Sequence, residues 1–221
     1  MKQLFFALMA ISFTALAACN SGNEKSHDGH NMNNADSMKK MDSMGTTGSD
    51  TAGHAGIPEN KEIKAIAVAY TNVDTKVAAS MKAIVDHYLE LKNALTNDNS
   101  NEAASHGQAM ESAIKKLDKS FLTADQKKVW DGFEDDLREH AEHIGKNAGN
   151  IKHQREHFSL MSEDVYDLVK SFGGGRAIYH DHCPMYNENK GAIWLSETKE
   201  VRNPYFGTKM PACGTVEEVI Q

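Results

Sequence analysis

Between Asp74 and Phe172 apolar residues return at spacings of three and four, the interval that lines one face of a helix. The first stripe is Val77, Met81, Ile84, Tyr88, Leu91 and Leu95, and Asn97-Asp98-Asn99 breaks it. The second is Ala103, Met110, Ile114 and Leu117. Thr123 with Gln126 three residues later reads as a capping box opening a third stripe, Trp130, Phe133, Leu137 and Ile144. Gly145 to Asn150 forms the next break. The fourth stripe is Ile151, Phe158, Met161, Val165, Leu168 and Phe172, stopped by Gly173-Gly174-Gly175. Four helices of about twenty residues with short links predict an all-α, up-down four-helix bundle over 61–175. Ile63 to Tyr70 alternates apolar and polar residues, as a short strand or a lead-in to the first helix. From Arg176 to Gln221 the period is lost. A stretch this short needs a staple, a metal or a neighbour's core, so a small irregular or β tail packed on the bundle is expected.

The N-terminal pattern is different. Leu4 to Leu16 is apolar apart from Ser12 and Thr14, then Leu16-Ala17-Ala18-Cys19 follows. The run is shorter than the ~20 residues of a permanent membrane span. It fits a signal peptide over 1–18 with a small-residue cleavage site. Cys19 straight after it resembles the acylated cysteine of bacterial lipoproteins; the other reading is an ordinary signal peptide with Cys19 incidental. The expectation is an exported chain anchored through lipid on Cys19 to the periplasmic face of a bacterial membrane.

Residues 19–60 then read as a tether: no aromatic residue, and mostly Asn, Ser, Gly, Asp and Thr. Such a composition buries too little apolar surface to offset chain entropy. Its few large side chains include His27, His30, Met32, Met38, Met41, Met44 and His54. Thioether and imidazole are ligands for Cu(I) and Ag(I), so these are candidate weak ligands. Compositional drift in a linker is the alternative. The net charge of −7 argues against nucleic acid as a partner.

Candidate chemistry concentrates in the tail. His180, His182, Cys183, Met185, Met210 and Cys213 supply two imidazoles, two thiols and two thioethers. Cys183 with Met185, and Met210 with Cys213, could each present sulfur from one turn, and two turns could close on one soft ion. Zinc takes thiolate and imidazole and ignores thioether; paired thioethers favour Cu(I). The competing reading is a Cys183–Cys213 disulfide, which would stabilise by roughly 3–4 kcal/mol. The bundle offers a second candidate metal site. At ~1.5 Å per residue, His87, His106, His140 and His157 fall in one thin layer near the loops of one end. His143 and His153 are expected to face solvent. No Glu-x-x-His occurs in the bundle, and no Cys-x-x-Cys-His, Gly-x-Ser-x-Gly or P-loop pattern in the chain, so a binding protein is expected rather than an enzyme.

His182-Cys183-Pro184-Met185, Gly191-Ala192-Ile193-Trp194-Leu195, Asn203-Pro204-Tyr205-Phe206-Gly207 and Met210-Pro211-Ala212-Cys213-Gly214 resemble the tail of a bacterial domain family of unknown function. Tyr88-Leu89-Glu90-Leu91-Lys92 and Gln154-Arg155-Glu156-His157-Phe158 resemble its helices. That family occurs alone in lipoproteins and joined to periplasmic adaptors of copper and silver efflux pumps. The resemblance implies heavy-metal handling, with an efflux adaptor as a possible partner; it carries over no catalytic residue. Together these readings give a membrane-anchored binding protein for Cu(I) or Ag(I), with zinc as the other metal. The alternative is a structural or interaction module stapled by Cys183–Cys213. In either, Trp194, Tyr205 and Phe206 are expected to bury against the helices and so position the tail.

Overall fold

The computed structural model describes residues 62–221. The expected signal peptide, Cys19, and the expected tether with His27, His30, Met32, Met38, Met41, Met44 and His54 lie outside the described residues. Among the described residues no helix is long and apolar enough to cross a membrane.

Five helices make most of this region: α1 Thr75–Thr96, α2 Ser100–Lys115, α3 Ala124–Asp131, α4 Glu134–Lys146 and α5 Ile151–Phe172. Their starts follow from side chains that accept hydrogen bonds from otherwise unpaired first-turn N–H groups. Asp74 caps α1, Asn99 caps α2 and Asn150 caps α5, while Thr123 and Gln126 form the expected capping box on α3. The third apolar stripe is not one helix. It breaks at Gly132-Phe133 into α3 and α4. Glycine is a poor helix former, and Glu134, Asp135 and Asp136 immediately after the break favour a new N-terminus, where the helix dipole is positive.

α2 packs on α1 and on α4, and α5 packs on α4 and more loosely on α1. The helices therefore run round the bundle in the order α1, α2, α4, α5. The loose α1–α5 edge is where the tail enters. Four strands, β1 Lys64–Ile66, β2 Ile178–Cys183, β3 Ala192–Ser196 and β4 Thr215–Ile220, form one sheet in the order β1-β4-β2-β3. β3 lies against α5 and α1. β1 pairs parallel to β4, with Ile66 opposite Ile220, so the segment before the bundle closes the sheet of the tail after it. The chain leaving β1 is tied to the end of α5 by Ala69 N–H to Lys170 O and Tyr70 N–H to Ser171 O, both 2.9 Å.

The joint between sheet and bundle is aromatic. Trp194 is fully buried and meets Tyr205 edge-on, with centroids 5.9 Å apart. Tyr205 packs on Phe158, and Phe158 stacks on Tyr88 at 5.0 Å. Tyr88 also ties the two layers by hydrogen bonds: its hydroxyl accepts from Leu195 N–H at 3.0 Å and pairs with Ser162 at 2.8 Å. Trp194 and Tyr205 are thus buried as expected, and Phe206 is half-buried.

Candidate metal-binding sites

The sequence motifs of the tail and of α5 touch one another. Arg155 Nε donates to Pro204 O at 2.7 Å, and its Nη2 donates to Leu95 O at 2.9 Å and to Asp98 Oδ1 at 2.6 Å. Asp98 also accepts from Thr208 N–H and its hydroxyl. Hydrogen bonding to Thr208 first, and then to Arg155, holds the Asp98 carboxyl down at about 2. Gly207 sits between them at φ 55°, where a Cβ would lie 2.2 Å from Asp98 Oδ1. Only glycine fits that approach. The loop around it is fixed by Asn203, which is fully buried. Its amide donates to Cys213 O at 2.6 Å, and its Oδ1 accepts from Tyr205 N–H and Phe206 N–H.

This scaffold brings Cys213 to Cys183. The thiols, 30 residues apart in sequence, have Sγ atoms 3.0 Å apart, and both are free. Cys183 is fully buried at the end of β2 and Cys213 is half-buried. Burial, and then the neighbouring Cys183, push the Cys213 thiol up to about 11. The other tail candidates lie elsewhere. Neighbouring strand residues point to opposite faces, which separates His182 from Cys183. His182 Nδ1 lies 3.8 Å from Glu217 Oε1, and His180 Nδ1 lies 3.9 Å from Glu217 Oε2. The His180 ring rests 4.5 Å from Tyr166. Met185 is 49% exposed. Met210 is half-buried, and its carbonyl accepts from Cys213 N–H at 3.2 Å. Among the described residues, the triads of His, Cys, Asp or Glu whose ligand atoms lie within 4.8 Å of one another contain no cysteine.

Those triads are in the bundle, and there are two. On the α1–α2 edge, Glu90 Oε2 lies 3.2 Å from His87 Nδ1 and 3.0 Å from His106 Nδ1. On the α4–α5 edge, His157 is the hub of a four-imidazole cluster. His140 Nδ1 is 3.1 Å from His157 Nδ1. His143 stacks on His157 with centroids 4.3 Å apart, and His153 meets it edge-on at 4.6 Å. The layer expected from His87, His106, His140 and His157 is therefore divided. The helix order puts the α1–α2 edge across the bundle from the α4–α5 edge. His143 and His153, expected in solvent, join the second cluster. The spacings His140-x-x-His143 and His153-x-x-x-His157, on either side of one short turn, were the signal that could have shown this.

One buried group had no signal in the sequence. Asp181 is fully buried, opposite Trp194 in the β2–β3 ladder, and neither carboxyl oxygen has a hydrogen-bond partner. Burial pushes it up to about 8, against the opposing charge of Lys92. Lys92 is itself buried, with Nζ 2.8 Å from Glu197 Oε2.

Residues 84–176 match the model of a family described as a protein of unknown function, DUF3347. The match covers most of the helical region and stops before the Cys183 and Cys213 motifs. No curated protein and no solved structure matches the chain.

Proposed function

We propose that this is an exported lipoprotein, held by acylated Cys19 at the periplasmic face of a bacterial membrane, that captures Cu(I) or Ag(I) during heavy-metal handling. Cys183 and Cys213 are the principal ligands in this reading. The observation that carries it is their convergence as free thiols 3.0 Å apart, set by a buried scaffold. An ion with bonds to sulfur of ~2.3 Å needs the two sulfurs at least ~3.8 Å apart, so entry shifts the less buried Cys213 outward by about 1 Å. Both thiols lose their protons on binding, which makes capture weaker in acid. The exposed Met185 and the adjacent Met210 are the nearest further sulfurs in sequence, and His180 and His182 need a rearrangement of the strand to join. Tether methionines and histidines would collect the ion weakly, and an efflux adaptor would receive it. Zinc is the competing metal, since two thiolates also suit it.

The test is competition titration of the reduced mature protein with Cu(I) against a chelator. Cys183→Ser/Cys213→Ser should weaken binding by more than ~100-fold, in line with the loss of ligands themselves rather than of their supports. Equal affinity ends the reading.

A second reading has its own support: the same sulfurs stand about 1 Å beyond the ~2.05 Å of a disulfide. On that reading the pair staples the tail, and the protein is a structural or docking module. Mass spectrometry of protein taken from the periplasm separates the two. Free thiols with a bound ion support capture; an oxidised pair without metal supports the staple.

A further inference from the structure

We propose that His140, His143, His153 and His157 form a separate, all-imidazole site for a borderline divalent cation, Zn(II) or Cu(II), on the α4–α5 edge of the bundle. The site does not depend on the cysteines.

The geometry begins with helix spacing. His140 and His143 are three apart on α4, and His153 and His157 four apart on α5, so each pair shares one helical face. The turn at 147–150 joins the helices as antiparallel neighbours. His143 and His153 therefore meet close to the turn, with centroids 5.8 Å apart. His140 and His157 meet farther along the helices, at 5.3 Å. One nitrogen from each of His143, His153 and His157 already lies within 4.8 Å of the others, and His140 Nδ1 is 3.1 Å from His157. A tetrahedral ion with ~2.0–2.1 Å bonds to nitrogen needs ligand atoms roughly 3.3 Å apart, a contraction that imidazole rotations supply without moving the helices.

Chemistry favours a cation over plain packing. Four partly exposed imidazoles crowd together with little acid beside them: Glu156 Oε2 is 3.7 Å from His153 Nδ1, and Glu139 and Asp136 act on His140 only through their charge. Protonating this cluster sets like charges against one another. Neutral imidazole is the form that binds metal. With no thiol or thioether in it, the site belongs to the class of ions that imidazole suits, Zn(II) and Cu(II), rather than to Cu(I).

The probe is Zn(II) or Cu(II) alone, added to the full mature chain carrying Cys183→Ser/Cys213→Ser. One ion is expected to bind, with absorption spectroscopy showing nitrogen at ~2.0–2.1 Å and no sulfur. Adding His143→Gln/His153→Gln/His157→Gln should weaken it by more than ~100-fold, whereas His27→Gln/His30→Gln/His54→Gln should leave it unchanged. The reverse pattern, or unchanged affinity in the first variant, overturns the proposal. Should the triple variant lose its metal-free circular-dichroism spectrum, the parent chain decides by NMR. Ring resonances of His143, His153 and His157 that move with one equivalent of Zn(II) uphold the site, and resonances that stay put at saturation overturn it. Because the parent chain lacks both thiols, failure here leaves the Cu(I) reading standing, and failure of the Cu(I) titration leaves this site standing.

Discussion

Burial changes the chemistry of Asp181 across the neutral pH range. Unfolded, it ionises near the ordinary ~3.9 of an aspartate; folded, it keeps its proton to about 8. Between those values the folded chain holds one more proton than the unfolded chain, so Asp181 makes stability fall as pH rises. Asp164, pushed up by burial to about 6, acts in the same sense below that pH. His157 acts in the opposite sense: with its folded value at about 4 and an unfolded value of ~6.5, it adds stability as pH rises to ~6.5. Above pH ~6.5 the Asp181 slope dominates. The metal-free protein should lose at most about 2 kcal/mol between pH 6.5 and 8, at 1.36 kcal/mol per unit. Asp181→Asn should flatten that slope in urea melts run at each pH. A variant that loses stability as steeply as the parent would show that the proton sits elsewhere. In the sequence, His180-Asp181-His182 stands out only for its imidazoles. Nothing in the order of residues distinguished the aspartate, because its burial comes from Trp194 and the helices beneath.

At the scale of elements, the helix stripes, the breaks and the capping box were legible, because each depends on residues within a turn or two of chain. The division of the third helix was less so: Phe133 continues the apolar stripe, and only Gly132 with the acidic run behind it marked the new start. The closeness of α2 and α4 was not legible at all. A Cβ on Gly107 would lie 2.9 Å from Gly145 N and 3.0 Å from Ala141 O, and one on Gly145 would lie 2.8 Å from Gln108 Cγ. These two glycines let the backbones nearly touch, and the contact fixes α4, which carries His140 and His143. Helix propensity alone makes Gly107→Ala stabilising by up to ~1 kcal/mol, but overpacking against backbone costs about 1–3 kcal/mol. Gly107→Ala should therefore lower the melting temperature, and any rise would show that the helices can part at little cost.

Across the whole molecule, a bundle edge left loose between α1 and α5 is filled by β3, and the chain before the bundle returns to close the sheet. Trp194 is the centre of that joint. Trp194→Ala should cost about 3–5 kcal/mol and should speed alkylation of Cys213, whose turn rests on the same scaffold. An unchanged melting temperature and an unchanged alkylation rate would show that the tail is held by other contacts, with Arg155 and Asn203 the first to examine. The sequence by itself determined the helices, their caps, the large residues that must leave water, and the kinds of ligand available, because these follow from period, propensity and side-chain chemistry. Tertiary structure decided which candidate ligands meet. It set Cys183 beside Cys213 while strand alternation turned His182 away. It split one expected histidine layer between two opposite edges, because the order of helices round a bundle is not written in the period of any one of them. It also paired β1 with β4, a match between distant segments whose register rests on a few backbone hydrogen bonds and on the core that each strand covers.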